Sequence, residues 1–220
     1  VLIAVGMRFD DRVTGLLSAF APKAKIIHID IDPSSIGKNV TVDVPLVADC
    51  KNTLIALKGL IGQNLDENSV PYEHNPAWHN EITRMKNQHP LFYSAGEYIK
   101  PQAVIETVQA VAKKMNKGEA LITTEVGQNQ MWTAQFYKFN QPRTFLTSGG
   151  LGTMGYGFPA AMGAQAAFPD KLVIDIAGDG SIQMNSQELA TAVESGLPVK
   201  IVILNNRYLG MVRQWQELFY

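Results

Sequence analysis

The 220-residue sequence has one cysteine, Cys50, so no intrachain disulfide can close and a reducing compartment is expected. The same count excludes zinc centres built on cysteine pairs. No apolar run approaches the roughly 18 residues that cross a bilayer, which sets membrane-spanning roles aside. There is no surplus of cations either: 19 Lys and Arg stand against 20 Asp and Glu, a net charge of −1. A sequence-independent nucleic-acid binder displaces counterions with excess Lys and Arg, so nucleic acid is not an expected partner. The four histidines (His28, His74, His79 and His89) show no metal-ligand spacing, and neither an internal repeat nor a low-complexity tract is present. What is present is an apolar fraction of 46%, enough to bury a core, in a length that suits one or two domains. The chain opens on Val1-Leu-Ile-Ala-Val5 with no initiator Met or leader and ends on Leu218-Phe-Tyr220 with no polar tail, so it reads as a piece of a larger polypeptide.

Periodicity predicts two α/β regions. In the first, strands are expected over 1–5 and 25–31, a short helix over 13–20, and a helix over 52–61, where Leu54, Leu57, Lys58 and Ile61 fall at i, i+3, i+4 and i+7. Residues 62–100 break the period at Gly62, Asn64, Asp66, Asn68, Pro71, Asn75, Pro76 and Pro90, with some helix around 77–87. The second region is expected to hold helices over 101–115, 158–168 and 186–195 and strands over 120–124, 144–146, 172–176 and 199–204. Strands alternating with helices imply parallel sheets with flanking helices. The expected domains are 1–65, a linker over 66–100, and 101–220.

The sharpest chemical signal is Ile176-Ala-Gly-Asp-Gly-Ser181 followed by Ile203-Leu-Asn-Asn206. Asp179 and Asn206 are 27 residues apart, the length of one right-handed strand–helix–strand unit, so both belong at the carboxyl edge of a parallel sheet. Asp-Gly alone would mark an ordinary turn. With Asn206 at the end of the next strand, the pair suits Mg²⁺ sharing its remaining positions with water and phosphate. The helix over 186–195, capped by Asn185 or Ser186 with Glu188 in its first turn, is expected to aim its amides at the same place. Ser148–Gly157 holds G-x-G-x-x-G at Gly150, Gly152 and Gly155, but the strand before it is short, so close backbone approach to a ring or phosphate fits better than a dinucleotide fingerprint. In the first region, Gly6-Met-Arg-Phe-Asp-Asp-Arg12 and Asp30-Ile-Asp32 follow strands, where an acid can hold a ribose hydroxyl and Arg8 or Arg12 a pyrophosphate or carboxylate. A solvated Arg/Asp cluster explains the same residues as well. Finally, Met211, Val212 and Trp215 form one apolar helix face next to Asn206.

Gly-Asp-Gly followed by Asn-Asn resembles the thiamine diphosphate motif of the decarboxylase and carboligase superfamily. Arg8–Gly15, Val126-Gly-Gln128, Ser148–Gly155 and Gly210–Gln216 together resemble the acetohydroxyacid synthase (acetolactate synthase) family, biosynthetic catalytic subunit, of bacterial type. The resemblance covers nearly the whole chain. It implies part of a central FAD-binding, Rossmann-like domain followed by a thiamine diphosphate-binding domain truncated at its C-terminus.

The resemblance also implies roles. Asp179, Asn206 and the Tyr208 carbonyl would bind Mg²⁺. Gln128, Asn129, Gly152, Gly180, Ser181, Gly210 and Met211 would contact thiamine diphosphate, and Met154 would hold it bent. Gly6, Met7, Arg8, Asp30, Ile31, Asp49 and Cys50 map to FAD-contacting positions, and Arg12, Met211 and Trp215 to the pocket for the second keto acid. Asn129 stands where the family usually has His; as an amide it could still donate a hydrogen bond there. The implied reaction condenses pyruvate with pyruvate or 2-ketobutyrate, with loss of CO₂, in branched-chain amino acid biosynthesis in the cytoplasm. The implied partners are further catalytic subunits, in a homodimer or homotetramer, and a small regulatory subunit. Because the family's proton-handling glutamate belongs to another domain contributed by a partner subunit, this piece alone is expected to be inactive. Other thiamine diphosphate enzymes, of the glyoxylate carboligase or pyruvate oxidase type, and a non-catalytic nucleotide-binding module remain as alternatives.

Overall fold

The computed structural model describes residues 1–64, 76–115 and 118–220. Of the expected period-breakers, Asp66, Asn68, Pro71 and Asn75 lie outside the described residues, as does His74. The chain divides into two compact units, Val1–Thr83 and Arg84–Tyr220, and the division falls within helix α3 (Pro76–Gln88).

The first unit is built on a parallel sheet of order β1-β2-β3, formed by β1 (Leu2–Val5), β2 (Ile26–Asp30) and β3 (Val44–Val47). The single helix expected over 13–20 is instead two short pieces. Asp10 caps α1 (Asp11–Thr14) by accepting from Val13 N at 3.2 Å, Gly15 at φ 56° ends it, and a 3-10 turn follows over Leu17–Ala19. β3 has no counterpart in the sequence pattern because it contains Pro45, which cannot donate to a ladder, and the fold accommodates it at the sheet edge. Helix α2 (Cys50–Asn64) follows, with the Asp49 carboxylate accepting from Asn52 N at 2.9 Å. Ala4, Phe9 and Ile26 form this unit's small core.

The second unit contains α4 (Pro101–Lys114), β4 (Leu121–Thr124), α5 (Gln128–Phe136), β5 (Phe145–Thr147), α6 (Gly157–Ala167) and β6 (Val173–Gly178). It continues through α7 (Asp179–Ile182), a 3-10 turn (Gln183–Asn185), α8 (Glu188–Glu194), β7 (Lys200–Leu204) and α9 (Gly210–Phe219). Its four parallel strands have the order β5-β4-β6-β7. Helices cover both faces. Ile105 and Ala112 of α4 and Phe136 of α5 pack on Ile122, Ile174 and Ile176, while Ala161 and Ala164 of α6 pack on Leu121 and Val173. Phe158 and Ala192 meet Ala177 and Ile182 on that second face. Both faces of β6 are therefore buried, which is why it reads as a near-continuous apolar run. The chain leaves β4 to one side for β5 and returns through α6 to β6 on the other side. That reversal is a topological switch point, and it opens a crevice beyond the carboxyl ends of β4 and β6.

Helix α5 lies outside every sequence expectation. Its buried positions are Asn129, Thr133 and Phe136, so the stripe facing the protein is largely polar and leaves no apolar period to detect. Those side chains are satisfied locally, with Thr133 Oγ1 donating to Asn129 O at 2.7 Å.

Candidate functional site

The crevice is lined from three directions. The segment after β4 supplies Gln128 and Asn129, the segment after β6 supplies Asp179, Gly180 and Ser181, and the segment after β7 supplies Asn206, Tyr208, Gly210 and Met211. Gly152 and Met154 of the glycine-rich loop complete the wall. Eleven of the residues expected to hold metal or thiamine diphosphate thus meet in one cavity. Trp132, Leu204, Leu209 and Val212 line it as well; Trp132, unlike Gln128 and Asn129 of the same helix, carries no sequence signal.

Asp179 is the acidic residue of this lining, and among the described residues its carboxylate accepts no hydrogen bond. An uncommitted carboxylate at a strand end is a ready ligand for a hard cation. Asn205 and Asn206 shape the turn beyond β7. Arg207 N donates to Asn205 Oδ1 at 3.0 Å and Tyr208 N to Asn206 Oδ1 at 3.0 Å, holding Arg207 at φ 63°. Asn206 Oδ1 keeps a second lone pair, and Asn206 Nδ2 donates to Gln128 Oε1 at 3.2 Å, which joins the β4 and β7 sides of the cavity. The Tyr208 ring lies outward under the Arg213 guanidinium, 4.0 Å from the ring centroid. An acid, an amide oxygen and main-chain carbonyls are a donor set that fits Mg²⁺.

The amides aimed at this cavity are not those expected. No side chain caps α8, and Asn185 instead donates to Gly155 O at 2.6 Å, while Glu188 accepts from the Thr191 hydroxyl at 2.9 Å. The chain turns directly out of β6 into α7, so the first-turn N–H groups of residues 179–181, which have no intrahelical acceptor, stand at the strand end. Ser181 is buried and closes this turn through its hydroxyl, which is 3.3 Å from both Gly178 N and Gly178 O. A Cβ at Gly180 would come within 2.7 Å of Leu209 Cδ2, and one at Gly210 would collide with the Gln128 amide, so each would displace a side chain that lines the cavity.

Asn129 departs from its expected role as a donor. Its Nδ2 donates to Glu125 O at 3.0 Å and to Ile176 O at 2.8 Å, so both amide hydrogens tie β4 to β6. What it offers the cavity is its oxygen, an acceptor. Trp215 is the second departure. The structure does not bring it to the cavity: one turn beyond Met211 on α9, it packs against Phe219 with ring centroids 4.7 Å apart. The glycine-rich loop is no dinucleotide fingerprint, since Gly155 N turns inward to Glu125 Oε2 at 2.7 Å rather than outward to a ligand.

In the first unit the singled-out residues also gather at strand ends. Gly6 follows β1 at φ 63°, and its N–H donates to Ile29 O at 2.8 Å; a Cβ there would lie 3.4 Å from Cys50 Sγ. Asp30 ends β2, and one of its carboxylate oxygens accepts from Asp32 N at 2.8 Å. Arg8 pairs with Asp10 at 3.1 Å, Met7 O contacts His28 Nε2 at 2.7 Å, and Ile31 is exposed beyond the strand. Arg12 belongs to α1, and its side chain lies outside the described residues.

Among the described residues no helix is long and apolar enough to cross a membrane. Residues 125–220 match the thiamine pyrophosphate enzyme C-terminal TPP binding domain, and residues 1–57 match the thiamine pyrophosphate enzyme central domain. The whole chain is 51% identical to 33% of acetolactate synthase 1, chloroplastic, of Oryza sativa subsp. japonica. It is 48% identical to 38% of the acetolactate synthase isozyme 3 large subunit of Escherichia coli (strain K12) and 47% identical to 37% of the acetolactate synthase large subunit of Haemophilus influenzae. The chain therefore spans about a third of the length of the curated relatives it matches. With similarity at this level along the whole of this chain and both domain matches in chain order, the chain belongs to the thiamine pyrophosphate enzymes, within the acetolactate synthase large-subunit family.

Proposed function

We propose that this chain is part of a catalytic subunit that condenses pyruvate with a second 2-keto acid, pyruvate or 2-ketobutyrate, releasing CO₂ and forming acetolactate or acetohydroxybutyrate. The observation that carries this reading is the convergence of Asp179, Asn206, Tyr208, Gln128, Gly152 and Met154 on one cavity at the switch point of the second sheet. Asp179, Asn206 and the Tyr208 carbonyl would hold Mg²⁺, and the first-turn amides of α7 would meet the diphosphate. Gly152 and Met154 would face the rings, Met154 as the wedge that keeps the cofactor bent. When bound, thiamine diphosphate supplies the carbon nucleophile and the electron sink for decarboxylation. The chain's own part is to anchor the anionic end and fix the bend, and to present Met211 and Val212 as an apolar wall to the incoming keto acid.

In the first unit, Gly6, Met7, Arg8, Asp30, Ile31, Asp49 and Cys50 would contact FAD. Gly6 at positive φ permits close main-chain approach, and the second carboxylate oxygen of Asp30 accepts no hydrogen bond among the described residues, which suits a ribose hydroxyl. Residues 1–65 would then be the end of an FAD-binding domain, 66–100 a linker, and 101–220 the diphosphate-binding domain. The partners proposed are identical catalytic subunits, as a dimer or tetramer, and a small regulatory subunit. The unpaired Cys50 supports a reducing setting such as the cytoplasm.

The test is calorimetric titration of the complete protein with thiamine diphosphate, with and without Mg²⁺, followed by assay with both keto acids. Binding that requires Mg²⁺, flavin absorbance in the purified protein and formation of both products are expected. Mg²⁺-independent binding would remove the metal assignment, and the absence of both products would remove the reaction.

A further inference from the structure

One fully buried acid of the second unit belongs to neither the proposed metal site nor the cavity lining. Glu125, at the carboxyl end of β4, is wholly inaccessible to solvent. Its Oε2 accepts from Gly155 N at 2.7 Å and its Oε1 from Phe158 N at 3.0 Å. Both amides lie just past Met154, where the glycine-rich loop enters α6. A buried carboxylate is retained only where its oxygens are satisfied, and charge-assisted bonds to main-chain N–H groups are among the strongest such contacts. This one fastens the loop to the strand whose continuation, Gln128 and Asn129, forms the opposite side of the cavity.

The fastening leaves little slack. Gly155 is held from its other end as well, its carbonyl accepting from Asn185 Nδ2 at 2.6 Å, and it sits at φ 85°. Two residues on, a Cβ at Gly157 would collide with Glu125 N and lie 2.5 Å from Asp175 Oδ1. Loop and strand ends are therefore in contact through main chain, with no flexible side chain between them to absorb a shift. Met154, which lines the cavity with Gly152, directly precedes the Gly155 amide that Glu125 holds.

We propose that Glu125 is a positioning residue for the reaction: by clamping Gly155 and Phe158 it fixes where Met154 and Gly152 meet the bound cofactor, and so sets the cofactor's bend rather than its affinity. This rests on the thiamine diphosphate reading of the cavity. Affinity resides in a different place, at the Asp179–Asn206 end, so the two properties should separate on substitution.

The experiment compares Glu125→Gln and Glu125→Asp with the unsubstituted complete protein, using thiamine diphosphate and Mg²⁺ as the probe. Three quantities are read: dissociation constant by calorimetry, turnover per bound cofactor, and the rate of hydrogen–deuterium exchange at the thiazolium C2 position of the bound cofactor. Glu125→Gln turns an amide N–H₂ against one of the two N–H donors. Displacing reacting groups by about 1 Å lowers rates by about 10²-fold. C2 exchange and turnover are therefore expected to fall together by about that factor, with the dissociation constant within about threefold. Glu125→Asp keeps the charge but reaches only one amide, and is expected to fall between the two. If Glu125→Gln fails to fold, the same separation is required of Glu125→Asp. C2 exchange unchanged in the folded variants, or affinity lost in parallel with exchange, would overturn the proposal. Failure of the unsubstituted protein to bind the probe would overturn the cofactor reading itself, so the two failures are distinguishable.

Discussion

The two units put the residues proposed for binding at the same place, beyond the carboxyl ends of parallel strands, yet they hold them differently. In the first unit the acidic residues are each fixed by the short turn they belong to: Asp30 caps the turn at Asp32, Asp49 caps α2, and Asp10 caps α1. Its sheet keeps Val44, Leu46 and Val47 exposed, and its buried core is one small cluster. In the second unit the residues are fixed by contacts between distant segments, Gln128 to Asn206, Asn129 to Ile176 and Glu125 to Gly155, over a sheet buried on both faces. Local caps position one residue each and fail one at a time. Cross-segment contacts position several, so a single change there should propagate through the site.

Metal and nucleotide ligands test this difference most severely. Asp179→Ala removes the acidic member of the proposed Mg²⁺ set and is expected to weaken Mg²⁺-dependent thiamine diphosphate binding by at least about 10²-fold. Asp30→Asn, in the first unit, removes the charge behind one hydrogen bond and is expected to weaken FAD binding only about tenfold. Parallel titrations of both cofactors against both variants would measure this, and equal losses would abolish the distinction.

Glycine substitutions ask the same question of stability. A Cβ at Gly157 would meet main-chain atoms of Thr124 and Glu125 as well as Asp175, none of which can swing aside. Gly157→Ala is therefore expected to lose about 4 kcal/mol. Gly15 has φ 56° and ψ −129° but nothing within 4 Å of the place a methyl group would take, so Gly15→Ala should cost only the penalty of a backbone conformation that side chains disfavour, about 1–3 kcal/mol. Denaturant unfolding of the two variants gives the ratio.

Asp175 extends the contrast to pH. It is fully buried on the α6 face of β6; Thr123 Oγ1 donates to its Oδ1 at 2.9 Å, and Oδ2 has no partner among the described residues. Burial pushes its carboxyl up to about 7; the Thr123 hydroxyl bond opposes the shift and the nearby Glu125 carboxylate adds to it. A carboxyl raised in the folded state binds more protons folded than unfolded. Its contribution to stability is thus full below about pH 4, declines as pH rises, and is gone above about 7. Asp175→Asn should flatten that decline by roughly 4 kcal/mol between the two ends. A wild-type stability profile already flat over this range would refute it.

How far the sequence anticipated this architecture follows from what each element buries. Elements with apolar stripes, such as β2, β6, α4 and α6, were legible within a few residues, and the strand ends carrying Asp179 and Asn206 came with them. Helix α5 was not, because Asn129 and Thr133 hold its buried side by hydrogen bonds that leave no hydrophobic period. β3 was hidden by Pro45, and the amide donors at the cavity were misplaced because α7, only four residues long, interrupts the expected run from β6 to α8. Glu125 could not be read as a clamp at all, since its partners lie 30 and 33 residues away.

The smallest effect is expected where the structure separates two residues that the sequence had grouped. Met211 lines the cavity, whereas Trp215, one turn outward on the same face of α9, packs on Phe219. An extra methylene in an apolar pocket is worth about 1–3 kcal/mol when the contact is direct. Trp215 is set back from the cavity wall, so it is expected to influence the acceptor only by bracing α9. Trp215→Leu should then shift the ratio of acetohydroxybutyrate to acetolactate by less than about tenfold in competition assays. Met211→Ala, at the wall itself, should shift it further. If Trp215→Leu had the greater effect in folded, cofactor-loaded protein, the acceptor would have to bind against Trp215 rather than Met211. The apolar wall of the cavity would then be a boundary of the cofactor site alone.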